Sequence, residues 1–207
     1  ETELQLAKSE PLPTAPPSLP NASPHVIDRI MSSKHKGKTI NSTIKYSVQN
    51  EVNKIVDRHH NRLMENEIYN VSVVVLEVET GNIIAYVGNA KGKEPQHGYQ
   101  VDVIKARRST GSILKPFLYA GALDGGVITP NQLIQDVPTI ISGYAPKNYN
   151  EKYDGAVPAS RALSRSLNVP IVKLLQKYGV QKFHNQLTRM GMTTIDRPST
   201  DYGLSLV

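Results

Sequence analysis

The stretch Asn70 to Ala90, NVSVVVLEVETGNIIAYVGNA, restricts the fold of this chain more than any other. Asn70 to Val78 is β-branched and apolar on both alternations, Glu-Thr-Gly-Asn turns the chain, and Ile83 to Ala90 returns. The pattern predicts a β-hairpin over Val71 to Ala90. Strands without polar alternation need cover on both faces, so other elements are expected to pack on each side.

The flanks supply candidates for that cover. Ile44, Val48, Val52, Ile55, Val56, His59 and Leu63 recur at three- and four-residue intervals. That period predicts an amphipathic helix, with Asn41, Ser42 and Thr43 as N-cap candidates. Before it, Glu10 to Pro24 holds six prolines, a density that predicts an extended connector rather than helix or strand. Lys34, Lys36 and Lys38 read as a solvated turn. The expected organisation is therefore residues 1–66 as connector plus linker helix, and 67–207 as a domain opened by the hairpin. The first residues carry acid where a signal peptide needs base, and no apolar run reaches the ~18 residues that span a bilayer. Any targeting segment is expected to have been removed or never to have existed.

Beyond the hairpin, SILKPFLYAGALDGG predicts a helix stopped by Asp124, Gly125 and Gly126, burying Phe117, Leu118, Ala120 and Leu123. Val127 to Val157 predicts loop. PASRALSRS and PIVKLLQKYG, opened by Pro158 and Pro170, and VQKFHNQLTRMG, ended by Gly191, predict three more helices.

Chemistry concentrates in RRSTGSILKPF, Arg107 to Phe117. Residues three apart share a helix face, so Ser112 and Lys115 are expected side by side. A serine hydroxyl becomes a good nucleophile when a neighbouring base takes its proton, and a lysine amine serves if burial depresses its pKa. Pro116 would clash with the carbonyl of Ser112 inside a helix. Ser112 is therefore expected at the helix entrance, where the dipole favours developing negative charge. Gly111 removes a side chain from the approach side, where a substrate or strand could come close. The spacing occurs twice more, at Ser33/Lys36 and Ser42/Lys45. The former lies in a basic polar turn, and capping explains the latter; only the third precedes an apolar helix. A second cluster, Ser166-Leu167-Asn168, is the sole S-x-N in the chain, and its hydroxyl and amide could face one cleft. Capping of the helix opened by Pro170 is the plainer role for Asn168.

Composition narrows the partners. A net charge of +6 suits an anionic partner such as a cell-wall polymer, membrane surface or nucleic acid. Nucleic acid is disfavoured: the chain has two phenylalanines and no tryptophan, and three of its ten tyrosines lie in the loop from Tyr144 to Tyr153 rather than interleaved with base. The absence of cysteine excludes disulfides, thiolate catalysis and cysteine-held zinc. The six histidines show no metal-ligand spacing, so neither metal nor other cofactor is expected.

RRSTGSILKPFLYAGAL and ALSRSLNVPIVKLL together make the chain similar to the transpeptidase domain of class A penicillin-binding proteins. The connector resembles the one that follows that family's glycosyltransferase domain, and VSVVVLEVETGNIIAYVGN resembles its first hairpin. The resemblance implies an α+β fold of the serine β-lactamase and penicillin-binding-protein type, and a D,D-transpeptidase that cross-links peptidoglycan through a serine acyl-enzyme. It implies roles for four residues. Ser112 attacks the carbonyl between the terminal D-alanines of a stem peptide, Lys115 is the base, Ser166 relays protons, and Asn168 positions the peptide amide. Gly111 joins Asn168 as a substrate-binding position. Implied partners are stem peptides and glycan strands, with β-lactam antibiotics as acylating inhibitors. The implied location is the periplasm or outer face of the cell membrane, in a bifunctional parent anchored by an earlier segment.

One departure stands out. The family's third motif, Lys-Thr/Ser-Gly, which contributes an oxyanion-hole amide, occurs nowhere in the 207 residues. The chain therefore reads as the first part of the domain, with the central strands missing from the fold. Losing one oxyanion donor costs ~3 kcal/mol in the transition state, so the chain by itself is expected to be inactive or nearly so. Its first hairpin is expected to carry an open edge that invites self-association. A serine β-lactamase or a β-lactam-binding sensor domain would share the first motif. The former commonly has aspartate where Leu167 stands, and the latter lacks the proline-rich connector.

Overall fold

The computed structural model describes residues 2–9, 21–35, 37–92 and 94–207. Most of the proline-rich stretch, and Lys36, lie outside the described residues. The chain forms two compact units, Glu1–Ala106 and Arg107–Val207.

The first unit contains helices α1 (Thr2–Ser9), α2 (Pro24–Met31) and α3 (Tyr46–Met64), then strands β1 (Val73–Leu76) and β2 (Ile83–Val87). The last proline of the expected extended connector instead opens α2. Pro24 sits in the first turn, where a missing N–H costs nothing. Helix α3 starts later than expected, and none of Asn41, Ser42 or Thr43 caps it. The Thr43 hydroxyl donates to the Ile83 carbonyl at 2.6 Å, and the Lys45 N–H donates to Ile84 O at 2.9 Å. These residues run beside β2, and that bonding displaces the capping role. Gln49, Val56 and His60 are the buried residues of α3, whereas Ile55 and His59 face solvent. Gln49 is wholly buried because its amide completes the β2 edge. Its Oε1 accepts the Tyr86 N–H at 2.7 Å, and its Nε2 donates to Tyr86 O at 3.2 Å. No hydrophobic pattern reveals a glutamine that acts as a strand.

The hairpin is antiparallel, pairing Val73 with Val87 and Val75 with Ala85, and its register shifts between Val75 and Leu76. Ala85, Tyr86 and Val87 are buried in succession, so β2 is covered on both faces. β1 is only half-buried and ends at Leu76; Val78, expected within the strand, is 98% exposed. Among the described residues β1 has no strand on its outer side.

In the second unit a 3₁₀ turn, Gly111–Leu114, leads into α4 (Lys115–Asp124). There follow β3 (Leu133–Asp136), β4 (Gly155–Pro158), α5 (Ala159–Ser164), α6 (Asn168–Tyr178), α7 (Val180–Arg189) and α8 (Ser199–Tyr202). Strands β3 and β4 pair antiparallel, Asp136 opposite Gly155, within what the sequence predicts as loop. Each is four residues long and LIQD is half-exposed, so neither carries a legible period. Helix α4 buries Leu118 and Ala122, continuing from Leu114, while Phe117 and Ala120 are exposed, contrary to expectation. Those residues pack with Ile171, Leu174 and Leu175 of α6 and Phe183 and Leu187 of α7. Helix α6 begins at Asn168, two residues before the proline expected to open it.

Candidate functional site

The second unit brings together parts of two motifs that are 51 and 53 residues apart. Lys115, the first residue of α4, is 2% exposed. Its Nζ donates to Asn168 Oδ1 at 2.6 Å, to Ser166 O at 2.8 Å and to Ser166 Oγ at 3.2 Å. An ammonium has three hydrogens, and here each has an acceptor. None of the acceptors is a carboxylate. Burial therefore lowers the lysine pKa below its ordinary range.

Ser166 adopts φ +53°, a left-handed conformation uncommon for a residue with a Cβ. The reason is local. The Leu167 N–H donates to Ala162 O at 3.0 Å and the Ser166 N–H to Leu163 O at 2.8 Å. This pair of bonds closes α5 as a Schellman motif, in which the left-handed position normally belongs to glycine. A serine there costs about 1–2 kcal/mol of backbone strain and turns both its carbonyl and its hydroxyl toward Lys115. Ser166→Gly relieves this strain but also removes the Oγ acceptor of the buried amine, a loss of about 1–3 kcal/mol. In a Lys115→Met background, where that bond is already gone, Ser166→Gly is expected to raise stability by about 0.5–1 kcal/mol, read as a higher urea midpoint. A lower midpoint there would contradict the strain argument.

Asn168 is the first residue of α6. Its Nδ2 donates to Lys147 O at 2.8 Å, which turns Oδ1 toward Lys115. Its side chain caps nothing, so the plainer role expected for it is not the one it has.

Ser112 occupies the 3₁₀ turn at the entrance to α4, one turn before Lys115, and is exposed. Among the described residues no hydrogen bond joins its hydroxyl to the Lys115 amine, whose three donors go to Ser166 and Asn168. The buried amine is drawn inward by three fixed acceptors, while the hydroxyl faces water. Gly111 has φ +54°, and a Cβ built there would meet nothing within 4 Å. The glycine is needed for its backbone conformation, with open space around it. Of the other serine–lysine pairs, Lys45 is exposed and bound to Glu77 at 2.7 Å, and the Ser33 hydroxyl donates to Ile30 O.

Three contributors escape motif reading: Asp136, Asn148 and the carbonyl of Lys147. Asp136 and Asn148 are buried at 0% and 3% exposure. Asn148 Oδ1 accepts the N–H groups of Asn168 at 2.9 Å and Val169 at 3.2 Å. Short polar residues in a loop with prolines and glycines look like ordinary turn formers, so nothing in the local sequence singles them out.

A buried lysine meeting a serine and an asparagine from a distant turn, on a helix entered through a serine, defines a class. The chain belongs to the penicillin-binding protein transpeptidase family, whose domain model matches residues 71–206. Penicillin-binding protein 1C of Escherichia coli K12 is 31% identical over 190 residues, covering 92% of this chain and 24% of the relative. The chain thus spans about a quarter of the length of that protein. Among solved structures, penicillin-binding protein 1A of Haemophilus influenzae superposes with a TM-score of 0.57 at 27% identity, over 65% of this chain and 20% of that one. PonA1 of Mycobacterium tuberculosis in complex with penicillin V, 21% identical, shares the fold with a TM-score of 0.56 over 77% of this chain and 40% of that one. No helix among the described residues is long and apolar enough to cross a membrane.

Proposed function

We propose that this chain carries the serine–lysine half of a peptidoglycan D,D-transpeptidase site, within a larger cell-wall synthase that also bears a glycosyltransferase. Residues 1–66 are its connector and linker helix, and 67–207 its transpeptidase portion. The observation that carries the reading is the convergence of the buried Lys115 amine on Ser166 and Asn168. Ser112 Oγ bonds to the carbonyl carbon of the penultimate D-alanine, its proton passing to neutral Lys115. The C–N bond then breaks and D-alanine leaves, its amine taking a proton relayed through Lys115 and Ser166. An amine from a second stem peptide attacks the ester, re-forming an amide and returning the proton to Ser112. Asn168 orients the donor amide. β-Lactams take the donor's place and remain attached to Ser112. The reaction belongs on the outer face of the cell membrane.

Reaction with a fluorescent penicillin tests this. Without the third motif, the 207-residue chain is expected to acylate about 10²-fold more slowly than a full-length relative. The rate should rise with pH and level off below the ordinary lysine value, because the base is the neutral amine and burial lowers its pKa. A rate independent of pH would remove Lys115 from the role of base, and a rate equal to that of the full-length relative would remove the need for the third motif. Rapid hydrolysis of the adduct would favour a β-lactamase.

A further inference from the structure

Asn148 is two-sided in a way that the motif reading does not use. A helix leaves its first N–H groups without partners. At α6, Leu167 donates to Ala162 O, Asn168 and Val169 donate to the one Oδ1 of Asn148, and Pro170 has no N–H to satisfy. Asn148 therefore completes the whole entrance of α6 from twenty residues away. Its own Nδ2 donates to Asp136 Oδ1 at 2.8 Å and to Lys152 O at 2.9 Å, so both amide hydrogens are committed. The other oxygen of Asp136 accepts the Asp154 N–H at 3.0 Å. Asp136 ends β3 and pairs with Gly155 of β4, which ties the loop between them to the small sheet.

The consequence falls on Asn168. Asn148 fixes its main chain, and the adjacent Lys147 carbonyl fixes its Nδ2. With both held, Oδ1 has one direction left, toward Lys115 at 2.6 Å. We infer that Asn148, locked by Asp136, is a positioning residue of the transpeptidase site: it sets the placement of Asn168 and, through it, of the Lys115 amine. This rests on the functional reading above.

The test uses the full chain in two arms. In the first, lysine labelled with ¹³C at Cε reports the titration of Lys115, assigned by its absence in Lys115→Met. In the second, the rate of adduct formation at Ser112 is followed by intact mass. Asn148→Asp keeps the shape but removes both donors and faces Asp136. It is expected to shift the Lys115 titration and slow acylation about 10–10²-fold. The swapped pair, Asn148→Asp with Asp136→Asn, restores a donor between the two positions and should recover most of both. Unchanged titration in a folded Asn148→Asp variant overturns the inference. So does a slower rate that the swap leaves uncorrected. If wild type forms no adduct at Ser112, the functional reading fails, and the titration arm still decides the positioning role. Should Asn148→Asp fail to fold, hydrogen exchange on wild type decides: the Asn168 and Val169 amides are expected to exchange at least 10²-fold more slowly than free peptide. Exchange at the free-peptide rate overturns the inference.

Discussion

Ser112→Ala is expected to abolish the penicillin adduct entirely. In the proposed mechanism the adduct is an ester to the serine oxygen, so removing that oxygen removes the bond, whatever rate the wild type achieves. The comparison is informative because the chain offers other serines in the same spacing. Ser42→Ala should label like wild type: the Lys45 three residues after it is exposed and engaged with Glu77. A buried amine with neutral acceptors, as at Lys115, has a lowered pKa and can take a proton; the Lys45 amine lacks that burial. Ser112 itself is exposed near the start of its turn, and alanine there leaves no cavity, so stability should be unchanged within about 0.5 kcal/mol. The check is intact mass after long exposure to penicillin. An adduct of normal mass on Ser112→Ala would place the nucleophile elsewhere and end the reading.

How much of this was legible depended on whether a residue's role is local. The hairpin was legible because two runs of β-branched residues and an intervening glycine turn act through neighbours in sequence. Helix α3 was legible as a helix, but not its start, since Thr43 and Lys45 answer to β2 forty residues away. The same distance hid Gln49, whose burial follows from bonding the Tyr86 main chain. Strands β3 and β4 were invisible because four residues with mixed exposure show no alternation. Within the site, the S-x-x-K and S-x-N spacings pointed to Ser112, Lys115, Ser166 and Asn168. The hydrogen-bond partners of Lys115 were not legible, however. Helical spacing puts Ser112 one turn away, but a desolvated amine goes to the strongest fixed acceptors in reach, and these come from the turn after α5 and from α6. The strain at Ser166 and the capping by Asn148 are tertiary facts with no local sign.

Lys115→Met separates catalysis from packing most sharply. Methionine has nearly the volume of lysine without the charge, so the core of Leu114, Leu118 and Ala122 keeps its shape. Two stability effects oppose each other. The variant loses the hydrogen bonds to Ser166 and Asn168, and an acceptor left unpaired costs about 1–3 kcal/mol. It also no longer buries an ammonium whose three acceptors are all neutral, which offsets a loss of similar size. Net stability should stay within about 2 kcal/mol of wild type, while acylation falls about 10²–10⁴-fold for want of the base. The pH dependence gives an independent check. In the folded wild type the Lys115 pKa is lowered, so between that lowered value and the ordinary lysine value of 10.5 the unfolded chain holds more of the proton. Wild-type stability therefore gains from this residue as pH rises through that window, and Lys115→Met should lose that slope. Equal losses of rate and stability, with the slope retained, would make Lys115 a structural residue and leave the proposed chemistry without its base.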